Sequence, residues 1–275
     1  MPCRRCSSMS NNPYLPFKAK ILSVVKQTDI DWTYRLACEL KPQWGQFVEV
    51  SLPGIGECPI SISDFGEGYI EMTIRRVGKV TNVIHLLDEA DHLFLRGPYG
   101  HGFPVPDLTG KQLVIAAGGT GLAPVKSIIN HFYRQPELLS RLDVLAGFKS
   151  RNDVLFKEEL TSWSKQFNVI ITVDKMQGCD SSLPCREGLI TQWVPEIPLT
   201  NLDDLRVIIV GPPVMMKYTA QEFLKRGITE EHIWVSFERK MCCGIGKCGH
   251  CKIDDTYVCL EGPVFTYTRA KSLLD

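Results

Sequence analysis

Four cysteines near the end of the chain constrain its fold more than any other feature. Cys243, Cys248, Cys251 and Cys259 follow the spacing C-x4-C-x2-C-x7-C. This spacing matches the plant-type [2Fe-2S] pattern, in which four thiolates surround two irons. Glycines lie between the first three cysteines, and a loop wrapped around a cluster needs their backbone freedom. The spacing therefore predicts an iron-sulfur segment.

Two alternatives to this assignment stay open from the residues alone. Structural zinc sites also use four cysteines, usually as paired C-x2-C knuckles, whereas this segment combines one such pair with an x4 spacing. A zinc site would make the chain a non-catalytic nucleotide-binding module. Cys242, next to Cys243, is a second candidate ligand, but it would leave five residues before Cys248 where the plant-type pattern has four. The spacing favours iron over zinc, and Cys243 over Cys242.

Length and composition place this segment within a larger globular protein. The chain has 275 residues, of which 44% are hydrophobic and 23% charged, so two ordinary domains and an appendage are expected. Lysine plus arginine equals aspartate plus glutamate, 31 each, which argues against nucleic-acid and anionic-membrane partners. Residues 1–13 are polar and basic, and no apolar run is long enough to span a bilayer, so a cytoplasmic location is expected.

The hydrophobic pattern changes once along the chain. From Phe17 to about Pro106, short runs such as Lys20–Val25 and Tyr69–Ile74 alternate apolar and polar residues, as in a small antiparallel barrel. From Lys111, short apolar strands alternate with helical periodicity, which predicts parallel βαβ units. Beyond residue 236 the chain has too few apolar residues for a core of its own. The predicted division is a flexible tail (1–13), an antiparallel β-barrel (14–106), an α/β domain (107–236) and the [2Fe-2S] segment (237–275).

Two glycine-containing turns follow strands of the predicted parallel sheet. Residues 118–124, Gly-Gly-Thr-Gly-Leu-Ala-Pro, come directly after a buried strand and open a helix, where unpaired N–H groups and the helix dipole suit a pyrophosphate. Gly211-Pro212-Pro213 follows the strand at residues 207–210 and would lie at the same carboxyl edge. Glycines also serve plain tight turns, but this strand context favours nucleotide binding.

Three barrel segments together suggest a site for a large planar cofactor. Residues 58–63 offer hydroxyls, residues 75–81 offer phosphate donors near a turn, and residues 96–104 are dense in glycine and aromatics. Taken singly, each is more often a surface strand with solvated polar groups. Their combination favours a cofactor pocket.

The order of these segments resembles the ferredoxin-NADP reductase superfamily, from Tyr14 onward. The resemblance implies that residues 14–106 form a flavin-binding β-barrel and residues 107–236 a nicotinamide-nucleotide-binding domain. Within this superfamily, the chain looks most similar to B subunits of anaerobic sulfite reductases, with electron-transfer subunits of dihydroorotate dehydrogenase B and gamma subunits of sulfhydrogenases as relatives. The stretches that favour the sulfite reductase subunits are residues 44–53, 77–81, 246–251 and 257–263.

The resemblance implies an electron-transfer subunit that oxidises a nicotinamide nucleotide through FAD and a [2Fe-2S] cluster. Its implied partners are a sulfite reductase catalytic subunit and an iron-sulfur electron-carrier subunit, or alternatively a dihydroorotate dehydrogenase or a hydrogenase. NADH is the implied nucleotide. NADPH stays open, because Ser150 and Arg151 follow the second strand of the sheet, where a 2′-phosphate could be bound.

The resemblance also implies roles for individual residues. The Arg-x-Tyr-Ser flavin motif of the superfamily falls on Cys58 to Ser61, so only the serine is kept, and Ser61 is expected near flavin N5 as the catalytic residue. The remaining flavin contacts are expected at Pro59, Ile60, Ile62, Ser63, Thr73, Arg75, Gly78, Lys79, Val80 and Thr81. The nucleotide is expected at Gly118, Gly119, Thr120, Gly121, Gly211, Pro212 and Pro213. The implied cluster ligands are Cys243, Cys248, Cys251 and Cys259.

Overall fold

A computed structural model describes residues 12, 14–176 and 183–273 of the chain. The expected flexible tail, with Cys3 and Cys6, therefore lies outside the described residues except for Asn12. Within the described ranges, no helix is long and apolar enough to cross a membrane.

The first half of the chain forms a closed six-stranded antiparallel barrel, as predicted. The strands are β1 (Phe17–Lys26), β2 (Asp31–Ala37), β3 (Phe47–Leu52), β4 (Gly56–Gly66), β5 (Tyr69–Arg75) and β6 (His92–Tyr99). They close in the order β1-β2-β5-β4-β3-β6, and helix α1 (Lys79–Ile84) lies between β5 and β6 in the chain. Alternate residues such as Val48, Val50, Ile70 and Met72 are fully buried inside the barrel, which explains the period-two pattern of the sequence.

The second half forms a seven-stranded sheet. Its strands are β7 (Gln112–Gly118), β8 (Arg141–Phe148), β9 (Asn168–Val173), β10 (Cys185–Glu187), β11 (Leu205–Val210), β12 (Ile233–Ser236) and β15 (Val264–Thr266). The helices between them are α2 (Ala123–Arg134), α3 (Lys157–Trp163), α4 (Ile190–Trp193) and α5 (Pro213–Lys225). The order is β10-β9-β8-β7-β11-β12-β15, and only the added β15 runs antiparallel to its neighbour. The parallel α/β prediction is confirmed.

The cysteine-rich segment packs into the nucleotide domain and does not stand apart from it. It contains the hairpin β13 (Lys252–Ile253) and β14 (Thr256–Tyr257), then α6 (Val258–Glu261) and α7 (Tyr267–Ala270). Its apolar side chains share one buried core with strands β7 and β11 and with helix α5. Strand β15 extends the sheet beside β12. The cysteine-rich segment has too few apolar residues for a core of its own, and it is held partly by the core of the nucleotide domain.

A buried ionic network joins the barrel to helix α2. The Lys126 ammonium donates to Glu71 Oε2 at 2.8 Å and lies 3.2 Å from a Glu159 oxygen. Arg35 binds the other Glu71 oxygen at 2.6 Å. Burial would raise the pKa of Glu71, but Lys126 and Arg35 hold it below its ordinary value. This network fixes the orientation of α2, and so of the turn that precedes it, relative to the barrel.

Candidate functional site

The two glycine-containing turns lie side by side, because β7 and β11 are parallel neighbours. A Cβ atom on Gly118 would lie 2.4 Å from the Met215 sulfur, and one on Gly121 would lie 2.4 Å from the Val210 carbonyl oxygen. Gly211 has φ of +158°, and a Cβ there would lie 3.2 Å from the Gly118 nitrogen. At Gly121 the Val210 backbone leaves no space for a side chain, so only glycine fits there at the carboxyl edge of the sheet.

The turn of residues 118–124 is open at Gly119. Gly119 has φ of +56°, and a Cβ there would meet nothing within 4 Å. After a 3-10 turn through Thr120 and Leu122, the twelve-residue helix α2 begins, with Pro124 in its first turn. Pro212 and Pro213, in the second turn, are exposed. The unpaired N–H groups of this edge can therefore reach a phosphate without displacing packed side chains.

The predicted flavin strand divides its residues between two faces of the barrel wall. Ile60 and Ile62 pack with the barrel core. Pro59 and Ser61 lie on the outer face, where they stand opposite Glu49 and Phe47 of β3 in the strand register.

The next two predicted residues along the barrel are engaged inside its wall. The Thr73 hydroxyl contacts Thr33 at 2.9 Å and donates to Ser63 at 3.4 Å, and all three side chains are buried. This part of the prediction thus corresponds to a hydroxyl cluster that holds strands β2, β4 and β5 together.

The predicted phosphate segment forms the start of α1. The Thr81 hydroxyl accepts hydrogen bonds from the Val77 and Gly78 backbone N–H groups at 3.0 and 2.9 Å, which caps the helix. Gly78 faces open space, Lys79 is exposed and Val80 is half-buried. At the end of β5, Arg75 forms a two-point ion pair with Asp31, at 2.8 and 3.0 Å. The ion pair fixes the position of the arginine side chain.

Three cysteines of the cluster motif lie in the loop of residues 242–251 (the cluster loop), which is rich in backbone hydrogen-bond donors, and the fourth, Cys259, lies in helix α6. Cys243, Cys251 and Cys259 are buried, whereas Cys248 is exposed. Five backbone N–H groups donate to cysteine sulfurs: those of Ile245, Lys247 and Cys248 to Cys243 at 3.3–3.5 Å, that of Gly246 to Cys259 at 3.3 Å, and that of Cys259 to Cys251 at 3.5 Å. Such donors stabilise negative charge on sulfur, as a bound iron-sulfur cluster requires.

The thiols form two pairs. Burial raises the pKa of Cys259 to about 12, and the neighbouring Cys251 thiol adds to the rise. A hydrogen bond from the His250 backbone lowers the pKa of Cys248, and contact with Cys243 lowers it further. The thiols are thus neighbours in two pairs, Cys243 with Cys248 and Cys251 with Cys259.

Cys242 takes no part in this hydrogen-bonded arrangement of sulfurs. Its side chain is exposed, and its carbonyl oxygen accepts a hydrogen bond from Arg96. The buried sulfur that receives three backbone N–H groups belongs to Cys243. The geometry therefore supports the choice of Cys243 as a ligand.

Arg96 on β6 joins the barrel to the cluster loop, a role that sequence reasoning missed. This side chain is 4% exposed. Its guanidinium donates to the carbonyl oxygens of Cys243 at 2.6 Å and Cys242 at 2.5 Å, and to the Tyr99 hydroxyl at 3.2 Å. Two further bonds, at 2.7 and 2.5 Å, form a fork with the Glu57 carboxylate. All five N–H donors of the arginine are thus used.

Glu49 stands opposite Arg96 in the register of β3 and β6. It is fully buried, and within the described part of the chain neither oxygen has a hydrogen-bond partner. Burial raises the pKa of Glu49 to about 7, with Glu57 adding to the rise and Arg96 opposing it. A glutamate inside the run Val48-Glu49-Val50 was the sequence signal that could have marked this position.

A row of side chains crosses three strands from the flavin strand to the cluster loop. Ser61, Phe47 and Tyr99 stand opposite one another in β4, β3 and β6, and the two aromatic rings are 5.8 Å apart between centroids. Gly244 has φ of +72°, and a Cβ there would lie 2.7 Å from the Tyr99 ring. With strands spaced about 4.8 Å apart, Ser61 lies roughly 10 Å from Tyr99, on which the cluster loop rests.

Comparison with known proteins identifies the family. The chain is 35% identical to the gamma subunit of sulfhydrogenase 1 of Pyrococcus furiosus, over 94% of this chain and 93% of the relative. It is 32% identical to a probable dihydroorotate dehydrogenase B (NAD(+)) electron transfer subunit of the same organism, over 85% of this chain and 83% of the relative. The chain belongs to the family of these electron-transfer subunits. It is an NAD-binding electron-transfer oxidoreductase with an iron-sulfur domain.

Two family profiles match parts of the chain, and solved structures share its fold. An oxidoreductase NAD-binding domain matches residues 115–221, and the iron-sulfur cluster binding domain of dihydroorotate dehydrogenase B matches residues 238–271. The fold matches a chain of an NADH-dependent reduced ferredoxin-NADP oxidoreductase with a TM-score of 0.73 at 22% identity, over 91% of this chain and 88% of the other. It also matches a ferredoxin NADP+ reductase from Neisseria gonorrhoeae with a TM-score of 0.63 at 20% identity, over 77% and 92%.

Proposed function

We propose that this reductase-like chain oxidises NADH through FAD and a [2Fe-2S] cluster and delivers single electrons to a partner enzyme. The observation that carries the proposal is the row Ser61–Phe47–Tyr99–Gly244, in which paired strands and the Phe47–Tyr99 ring contact link the flavin strand to the cluster loop. When bound, a flavin converts the two-electron donation of a nicotinamide into the single electrons that a [2Fe-2S] cluster accepts.

The chain's residues hold the reactants in place. Gly118–Gly121 and Gly211–Pro213 hold the nucleotide at the open edge of the sheet, and Gly78–Thr81 bind the flavin phosphates. Ser61 donates a hydrogen bond at flavin N5 as negative charge builds there. Lys126 keeps the nucleotide edge in register with the barrel through Glu71.

FAD is the flavin that the family likeness favours. The Neisseria reductase of the same fold contains bound FAD and NADP. In the present chain a Cβ atom on Gly78 would meet nothing within 4 Å, so the turn proposed to bind the flavin phosphates is open at this residue. Extraction of the flavin and its identification by chromatography decides between FAD and FMN.

The fit of a [2Fe-2S] cluster rests on the donor set. Four cysteines in two pairs, with five N–H groups aimed at their sulfurs, match what two irons need. A zinc-stabilised module is the competing possibility. Visible absorption separates the two, because flavin and [2Fe-2S] absorb strongly and zinc gives no colour. A colourless protein that retains stoichiometric zinc would refute the proposal.

The partner we propose is the catalytic subunit of an anaerobic sulfite reductase, together with an iron-sulfur electron-carrier subunit. The stretches at residues 44–53, 77–81, 246–251 and 257–263 support this partner. A hydrogenase is the second candidate, favoured by 35% identity to a sulfhydrogenase gamma subunit over 94% of the chain.

Reconstitution tests both partners. The isolated chain should reduce an artificial acceptor with NADH and should not reduce sulfite. Addition of a purified sulfite reductase catalytic subunit and its electron carrier should give NADH-dependent sulfite reduction, whereas a hydrogenase partner would give hydrogen-dependent reduction of NAD. Sulfite turnover by the chain alone would contradict its role as an electron-transfer subunit.

A further inference from the structure

The contact between Arg96 and the cluster loop has a consequence for the proposed electron transfer. We propose that Arg96 is a positioning residue that holds residues 242–244 on the barrel and raises the reduction potential of the cluster, with Glu57 as the residue that orients it. The inference rests on the proposed function, since it concerns the [2Fe-2S] cluster held by Cys243, Cys248, Cys251 and Cys259.

The first argument is geometric. Arg96 donates to the carbonyl oxygens of two successive loop residues, and one of them, Cys243, is a proposed ligand. The same guanidinium is held by a two-point fork to Glu57, which lies next to the predicted flavin motif. Tyr99, its remaining partner, contacts Gly244. One side chain therefore determines how the first cluster ligand sits on the barrel wall.

The second argument concerns charge. The guanidinium is always ionised, and at 4% exposure it is poorly screened by water. One electron passed from the flavin to the cluster adds one negative charge to the loop. A nearby buried cation stabilises that added charge, so the reduced cluster is favoured and its potential is raised.

Glu57 and the loop carbonyls occupy adjacent edges of the guanidinium. Glu57 accepts from Nε and Nη2 of Arg96, whereas the carbonyl oxygens of Cys243 and Cys242 accept from Nη1 and Nη2. Arg96 is hydrogen-bonded to the loop directly and Glu57 is linked to it through Arg96, so the positive charge acts on the cluster from closer range. The Glu57 charge should oppose that of Arg96 more weakly.

The test is a redox titration of the purified holoprotein, followed by the electron paramagnetic resonance signal of the reduced cluster. Arg96→Met should shift the midpoint potential to more negative values. Glu57→Gln keeps the side-chain shape and removes the opposing charge, so it should shift the potential to more positive values. Arg96→Lys keeps the charge and loses the fork, so its potential should lie between those of Arg96→Met and the wild type.

Opposite shifts from the two variants would not arise from loosened packing, which would affect both in the same direction. Arg141→Met is the matched control: Arg141 forms a similar two-point pair with Asp143 on β8, and its loss should leave the potential unchanged. If Arg96→Met fails to retain the cluster, Glu57→Gln decides the question. Unchanged potentials, or shifts in one direction, would overturn the inference. Absence of any [2Fe-2S] signal in the wild type would instead refute the proposed function.

Discussion

The barrel meets its two neighbours through different kinds of polar contact. Toward helix α2, Lys126 and Arg35 satisfy both oxygens of Glu71, and Asn130 donates to Asp64 at 2.8 Å. Toward the cluster loop, Arg96 is fully hydrogen-bonded but stands opposite Glu49, a buried carboxyl group whose oxygens have no described partner.

This difference distinguishes a contact that fixes orientation from one placed beside a redox centre. A fully paired ionic network is rigid, and breaking it leaves an uncompensated charge. An unpaired buried carboxyl destabilises the fold when it ionises, and such groups are concentrated at functional sites. We therefore expect changes on the α2 side to act through stability and changes on the loop side to act through the cluster and through pH.

The largest effect should come from the cluster loop itself. Cys243→Ser should abolish or strongly perturb the [2Fe-2S] absorbance and the paramagnetic signal of the reduced state, because its sulfur receives three backbone N–H groups. Cys242→Ala, the adjacent control, should change little, since its exposed thiol behaves as a small apolar side chain. The reverse pattern would show that the assignment is wrong by one residue.

On the α2 side, Lys126→Met should destabilise the protein by about 3 kcal/mol, because Glu71 stays buried with Arg35 as its remaining ionic partner. In a protein of 275 residues such a loss of stability lowers the Tm by roughly 8 °C, which calorimetry measures.

Lys225→Met is the matched control, since its ammonium pairs with Glu222 on the exposed surface of α5. Its Tm should stay within about 1 °C of the wild type. Adding Glu71→Gln to Lys126→Met should recover part of the loss. Equal losses in the two lysine variants would show that burial of the pair does not matter.

On the loop side, Glu49→Gln should stabilise the protein in a pH-dependent manner. The folded pKa of about 7 lies above the ordinary value of 4.5, so the folded protein keeps a proton that the unfolded chain has lost. Stability is therefore lost as the pH rises between these values, and the loss is complete above pH 7. The glutamine variant should gain on the order of 1–3 kcal/mol at pH 8 and less than about 1 kcal/mol at pH 5.

Thermal unfolding of the wild type and Glu49→Gln at the two pH values tests this expectation. Glu89→Gln, at an exposed position, is the control and should show no such dependence. A constant difference in Tm between Glu49→Gln and the wild type would mean that Glu49 keeps the same protonation state throughout this range.

The smallest expected effect concerns the nucleotide. The Ser150 hydroxyl donates to Asp153 at 2.6 Å, so it is already engaged, and the carboxylate would repel a 2′-phosphate. We expect kcat/KM to be at least tenfold higher for NADH than for NADPH, which corresponds to about 1.4 kcal/mol. Asp153→Ser should reduce this preference. A tenfold preference for NADPH in the wild type would contradict the expectation.

Local patterns were enough to predict the elements and their order. Alternation in runs such as Tyr69–Ile74 predicted barrel strands, because every second side chain points into the barrel core. Continuous apolar runs such as Leu113–Ala117 predicted parallel strands covered on both faces. Cysteine spacing predicted the cluster loop, because a short loop must bring its ligands together by itself. Each of these signals depends on residues close together in the chain.

Contacts between distant residues were decided only by the tertiary structure. Arg96 and Cys243 are 147 positions apart, and Lys126 and Glu71 are 55 apart, so no local pattern could pair them. The faces of Ser61 and Ile62 depended on the register of β4 with β3, which a shift of one residue would reverse. The cluster segment was predicted to lack a core, and its burial beneath the sheet depended on strand β15 pairing with β12. Sequence periodicity indicates that a side chain is buried, but the residue that it packs against is determined by the tertiary fold.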